Sequence, residues 1–142
     1  MITVQNKFSD LILPKRFGAC TVWPFLFIRC DFKLSKASLN HERIHGRQQC
    51  ETMLLTWFIL GTVAIFGPGV WWYLAVGVTV LNWYLWYLIS WLLQILLPPY
   101  DSAYLDICFE QEAYANQNDT NYLKTRRPFR WVKYLFSNFK KK

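Results

Sequence analysis

Charged and apolar positions divide this chain into three stretches. No Lys, Arg, Asp or Glu occurs from Thr52 to Tyr100, and all charged residues lie on one side or the other of that run. Eighteen or more uncharged, largely apolar residues in succession read as membrane-spanning, and this run is long enough for two spans. Gly67-Pro68-Gly69 interrupts it with one residue that lacks a backbone donor and two that tolerate positive φ, as a tight turn requires. The pattern therefore predicts a mostly α integral membrane protein, a two-span helical hairpin. The first apolar segment, Met53 to Phe66, gives about 21 Å of helix, short of a hydrocarbon core of about 30 Å. Its helix is thus expected to start near Ser38 or Asn40 as N-cap and to run on into the bilayer. The second span, Tyr73 to Leu97, follows Trp71 and Trp72, rings that settle at headgroup level.

The flanks carry weaker periodicities. Thr21 to Phe32 contains Val22, Trp23, Phe25, Phe27 and Ile28, the composition of a strand, which Pro24 would confine to an edge. Beyond Arg126-Arg127-Pro128, the residues Phe129, Val132, Leu135, Phe136 and Phe139 recur at helical spacing among Arg130, Lys133 and Lys140 to Lys142, predicting a C-terminal amphipathic helix. The expected organisation is one membrane domain. It comprises an N-terminal cytoplasmic segment (1–37), a helix and first span (38–66), a second span (70–97), a further helix (103–119) and a basic amphipathic tail (122–142).

Charge assigns an orientation to this picture. Sixteen Lys and Arg stand against nine Asp and Glu, for a net charge of +7. Eight of the basic residues precede the run and eight follow it, with none at the turn. Retention of basic residues on the inner side predicts a multi-pass protein of the cell membrane with both termini cytoplasmic. Because the basic residues flank apolar segments, the bilayer and its anionic lipids, reached through the tail, are the expected partners, and nucleic acid is not. Leu11-Ile12-Leu13, followed by Pro14 and Lys15, is too short for the apolar core of a cleavable signal. Cys20, Cys30, Cys50 and Cys108 match neither a disulfide framework nor a CxxC metal motif and are expected as free thiols.

The chemistry concentrates in His41-Glu42-Arg43-Ile44-His45, an HExxH motif that uses both histidines of the chain. Residues i and i+4 share a helix face, so the two imidazoles can converge on one metal ion while Glu42 reaches its water as general base. Gln48 and Thr52 continue the same stripe. A hydrolytic zinc site of this type needs one more protein ligand and an open position. The acidic cluster that follows the apolar run is Phe109-Glu110-Gln111-Glu112-Ala113-Tyr114, with Cys108 beside it as a competitor. Glu110 and Glu112 project about 200° apart on a helix, so one of them at most can serve.

HExxH followed, after apolar spans, by a Glu-x-x-Ala helix resembles the gluzincin membrane metallopeptidases, which include the prenyl-protein endopeptidases, the heat-shock membrane peptidase and the antibiotic-sensing peptidases. The resemblance extends over about residues 38–120. It is closer still to small two-span bacterial membrane proteins with the patterns found here as Asn40 to Gln48 and Phe109 to Tyr114. It implies zinc as the cofactor, Glu110 as third ligand beside His41 and His45, and Glu112 as the second choice. Where the larger peptidases place an Asp four residues after the ligand Glu to orient the first His, this chain has Tyr114, whose OH would have to take that role.

The function expected from the sequence is therefore a zinc metallopeptidase cleaving a peptide or protein substrate at the cytoplasmic membrane interface. Glu42 is the catalytic base, and Tyr104, Tyr114, Tyr122, Arg126 and Arg127 are candidate transition-state donors. A non-catalytic metal site with a structural, sensing or partner-binding role is the first alternative, and a zinc hydrolase of a lipid or lipid-linked amide the second. So small a scaffold is also a candidate homo-oligomer.

Overall fold

The computed structural model describes residues 1–13, 15, 17–66, 78, 81, 82, 84–90, 92 and 107–135. Its elements are β1 (Ile2–Val4), α1 (Lys7–Ile12), β2 (Ala19–Val22), β3 (Phe25–Ile28), α2 (Lys36–Phe66), α3 (Cys108–Asn116), α4 (Tyr122–Thr125) and α5 (Val132–Leu135). The strands form one sheet in the order β1-β3-β2. β1 runs parallel to β3, Thr3 opposite Leu26, and β2 runs antiparallel to it, Thr21 opposite Leu26. Leu26 and Ile28 of the central strand turn inward and are buried. The segment read as one strand is thus a hairpin, with Pro24 in the turn after a cis Trp23–Pro24 bond.

Local chemistry sets the helix starts. Asn6 caps α1: its Oδ1 accepts from the backbone N–H groups of Phe8 and Ser9 at 3.0 and 3.1 Å. For α2 the cap is Ser35, whose Oγ accepts from the Ser38 N–H at 3.0 Å, upstream of the expected Ser38 or Asn40. Asn40 instead points its Nδ2 at the carbonyls of Asn116, Gln117 and Asp119, 2.9–3.2 Å away. It satisfies acceptors left over at the C-terminal end of α3 and fastens that end to α2.

A single helix carries both the HExxH motif and the first apolar segment, but the membrane reading does not survive. Among the described residues no helix is long and apolar enough to cross a membrane. This corrects the two-span hairpin, and with it the multi-pass placement with cytoplasmic termini and site. The physical reason lies in α2. Its uncharged part, residues 52–66, makes about 22 Å of helix, and the rest carries Lys36, Glu42, Arg43, Arg47 and Glu51. Its buried stripe is polar as well: His45, Gln48, Gln49, Thr52 and Thr56 are all buried. Thr56 donates to the Asn82 Oδ1, Trp86 Nε1 donates to the Thr56 Oγ1 at 2.9 Å, and Asn82 Nδ2 to the Thr52 Oγ1 at 3.4 Å. The Gly67-Pro68-Gly69 turn and most of the expected second span lie outside the described residues.

Against α2 packs α3, and against α3 pack the residues that follow it. Ile107, Cys108, Phe109 and Trp131 form a buried cluster, with the Phe109 and Trp131 ring centroids 4.8 Å apart. The tail therefore turns inward at Trp131, after Phe129 at φ 55°, while Phe129 and Val132 stay exposed. Residues 136–142 lie outside the described residues.

One cation joins the two helices. The Arg126 side chain is 1% exposed and lies between Glu51 of α2 and Glu112 of α3, themselves 9% and 0% exposed. Its Nε and one terminal nitrogen reach the two Glu112 oxygens at 2.6 and 3.1 Å, and its terminal nitrogens also grip Glu51. Removing one member of a buried ion network leaves the others charged and unpaired. Arg126→Met is expected to destabilise the fold by about 3–5 kcal/mol, read as a lowered denaturation midpoint. A midpoint matching wild type would show that the clamp is dispensable.

Candidate metal centre

The motif occupies the second and third turns of α2, facing α3 and β2. His41 and His45 meet edge to face, ring centroids 4.6 Å apart at 81°, and their Nε2 atoms are 3.0 Å apart. Glu110, in the first turn of α3, places Oε2 3.4 Å from the His41 Nε2 and Oε1 3.4 Å from the His45 Nε2. Tyr87 donates its OH to the Glu110 Oε1 at 2.9 Å. The three residues offer ligand atoms that all lie within 4.8 Å of one another. Around a tetrahedral zinc ion, with nitrogen and oxygen at about 2.0–2.1 Å, ligand atoms stand about 3.3 Å apart. The donor set and its spacing therefore fit such an ion. His2Glu is also the hard and borderline set that zinc accepts.

Electrostatics agree with the geometry. Burial alone would raise the Glu110 carboxyl, but the two imidazoles outweigh it and hold the group well below the usual carboxylate range. For His45, burial works to lower the pKa, and Glu110, Glu42 and Gln48 reverse this and raise it. The site is thus an anionic cradle around two nitrogen donors.

Glu42 sits beside the cluster with a partner that the sequence did not indicate. Thr21 of β2 donates its Oγ1 to the Glu42 Oε2 at 2.7 Å, while Oε1 has no hydrogen-bond partner among the described residues. Both groups line a cavity of about 320 Å³ together with His41, His45, Glu110, Tyr84, Tyr87 and the β2 residues Ala19 and Cys20. β2 is an edge strand, and Gln49 closes one end of it. The Gln49 Nε2 donates to the Thr21 carbonyl at 2.7 Å and its Oε1 accepts from the Trp23 N–H at 2.6 Å.

The structure separates the two candidate glutamates. Glu110 faces the histidines. Glu112 turns away to Gln48, Tyr122 and Arg126. Of the candidate donors, Tyr122 and Arg126 are engaged by Glu112, and Tyr104 lies outside the described residues. Tyr114 meets His41 through its ring, centroids 4.6 Å apart, and the His41 Nδ1 is buried with no hydrogen-bond partner among the described residues. Cys108 is not placed to compete: its sulfur faces the Ser90 Oγ at 3.1 Å, and burial pushes its thiol up to about 12. Thr21, Tyr84 and Tyr87 escaped the sequence reading, since a lone hydroxyl in a strand or an apolar run carries no signal of its partner.

No protein-family model, no curated protein and no solved structure matches the chain.

Two outcomes follow. Protein purified without chelators is expected to hold about one zinc per chain, by elemental analysis, and to lose it in His41→Ala, His45→Ala and Glu110→Ala but not in Cys108→Ala. Cys20, in the cavity wall, has its thiol pushed up to about 11 by burial and by the Glu42 and Glu110 carboxylates. In metal-free protein it should alkylate very slowly at pH 8, where about one thiol in a thousand is ionised, and about tenfold faster per pH unit above that. Fast labelling at pH 8 would contradict the burial of this thiol beside the two carboxylates.

Proposed function

We propose that this protein is a zinc-dependent hydrolase of peptide bonds. The observation that carries this reading is the convergence of His41, His45 and Glu110 at ligand spacing on the wall of a cavity that also holds a carboxylate oxygen of Glu42 without a partner. His41, His45 and Glu110 would hold the zinc ion, which when bound would supply a water acidified toward neutral pH and a Lewis acid for a carbonyl. Glu42, held in position by the Thr21 hydroxyl on Oε2, would be the general base, with Oε1 as the oxygen that accepts a proton and returns it to a leaving amine. The Tyr87 OH fixes the Glu110 carboxylate from the other side.

A peptide, rather than another amide, fits the cavity because β2 forms part of its wall. An extended segment can pair with the outward backbone groups of the strand near Ala19, while Gln49 occupies those at Thr21 and Trp23. The cleaved bond would then lie beside Glu42.

Glu42→Gln separates chemistry from metal binding. The variant is expected to keep its zinc and to lose about 10²–10⁴-fold in turnover of unstructured peptides, measured by mass spectrometry of the products. Cleavage by the variant at the wild-type rate would exclude Glu42 as the base. A wild-type protein that holds zinc and cleaves no peptide in a broad library would leave a non-catalytic metal centre.

A further inference from the structure

Among the described residues, the direction of the hydrogen bonds that run from Arg126 to the His45 Nδ1 is fixed by chemistry that begins elsewhere. Arg126 has only donors, and two of its nitrogens reach Glu112, which also accepts from the Tyr122 OH at 2.7 Å. Glu112, so surrounded, is a carboxylate and can only accept. The Gln48 amide touches its Oε2 at 2.9 Å and the Phe109 carbonyl at 3.0 Å. Both are acceptors, so the nitrogen end of the amide must face them. The oxygen end is then turned to the His45 Nδ1, 2.8 Å away. An amide oxygen can only accept, and Nδ1 must therefore carry the proton of the neutral ring. The lone pair is left on Nε2, the atom that faces His41 and Glu110.

We infer that Gln48 and Glu112, anchored by Arg126, form a positioning relay that sets the tautomer and ring orientation of His45 from across the helix interface. Two of the three links are fully buried side chains, Gln48 and Glu112 each at 0% exposure, so water cannot replace them. Glu112 thus has a role distinct from its neighbour Glu110: it orients a ligand without being one. Among the described residues His41 has no such support on Nδ1, and the relay accounts for one histidine of the pair. The inference deepens the metal-centre reading, but its primary test does not need a metal.

That test is nitrogen-15 NMR of the His45 ring in metal-free, full-length protein, at a pH where both imidazoles are neutral. Wild type should show the Nδ1–H tautomer. Glu112→Gln removes the charged acceptor and leaves the Phe109 carbonyl alone to hold the nitrogen end of the Gln48 amide, so the preference is weakened and a mixed tautomer population is expected. Gln48→Met, which keeps the bulk and removes the acceptor, should release the tautomer even if Glu112→Gln folds poorly. Glu51→Gln is the control, since it weakens the same clamp on Arg126 but lies off the path to His45. A clamp with no positioning role would lower the thermal stability of the Glu51 and Glu112 variants alike and leave the tautomer unchanged. In parallel, zinc competition against a chromophoric chelator should show affinity about 10–100-fold weaker in Glu112→Gln and Gln48→Met, and within about threefold of wild type in Glu51→Gln. An Nε2–H tautomer in wild type, or a tautomer and zinc affinity unmoved in both relay variants, overturns the inference. Failure of wild type to bind zinc would overturn the proposed function instead, and the NMR result would still decide the relay.

Discussion

The long helix α2 buries a polar face, and the rest of the described structure follows from having to satisfy it. A buried donor or acceptor without a partner costs about 1–3 kcal/mol, and His45, Gln48, Gln49, Thr52 and Thr56 lie in succession along one side. Each is satisfied, in part by groups outside α2. β2 supplies backbone groups to Gln49, α3 supplies a carbonyl and a carboxylate to Gln48, and Asn82 and Trp86 close on the threonines. Packing around this helix is directional. An apolar face would have tolerated sliding, whereas hydrogen bonds of defined donor and acceptor sense set register and rotation together.

Carboxylates are concentrated where this face meets its neighbours. Glu42, Glu51, Glu110 and Glu112 lie within or beside the α2–α3 interface of a chain that is basic overall. They divide into two sets. Glu51 and Glu112 are neutralised by a permanent cation, Arg126. Glu110, with Glu42 beside it, faces two imidazoles whose charge depends on what they bind. One pair belongs to the scaffold, and the other leaves an electrostatic demand that a divalent ion would meet.

Much of the site was legible in the sequence, and less of the fold. HExxH on a helix follows from spacing alone, and so does the conclusion that just one of Glu110 and Glu112 can face it, because a helix turns about 100° per residue. The choice of Glu110 came from resemblance; in the structure Glu110 faces the histidines and Glu112 turns to Gln48 and Arg126. The charge-free run suggested two spans because composition does not show how much of it one helix takes up: α2 carries residues 52–66 of it, about 22 Å, and among the described residues no helix is long and apolar enough to cross a membrane. The sheet was half visible: the β-branched and aromatic content of residues 21–32 was plain, but β1 spans just Ile2–Val4 and pairs with β3, far along the chain. The bond from Gln48 to Glu112 leaves no periodic trace at all, and neither does Arg126 as the partner of both helices.

The Gln49 side chain on the rim of β2 has a consequence for how the molecule meets copies of itself. An open strand edge invites the edge of another chain, and a sheet this small has few ways to hide one. By bonding the Thr21 carbonyl and the Trp23 N–H with a single amide, Gln49 imitates the next strand for the length of one residue pair and ends the ladder there. What remains of the outward edge of β2 is the short stretch at Ala19, beside the cavity.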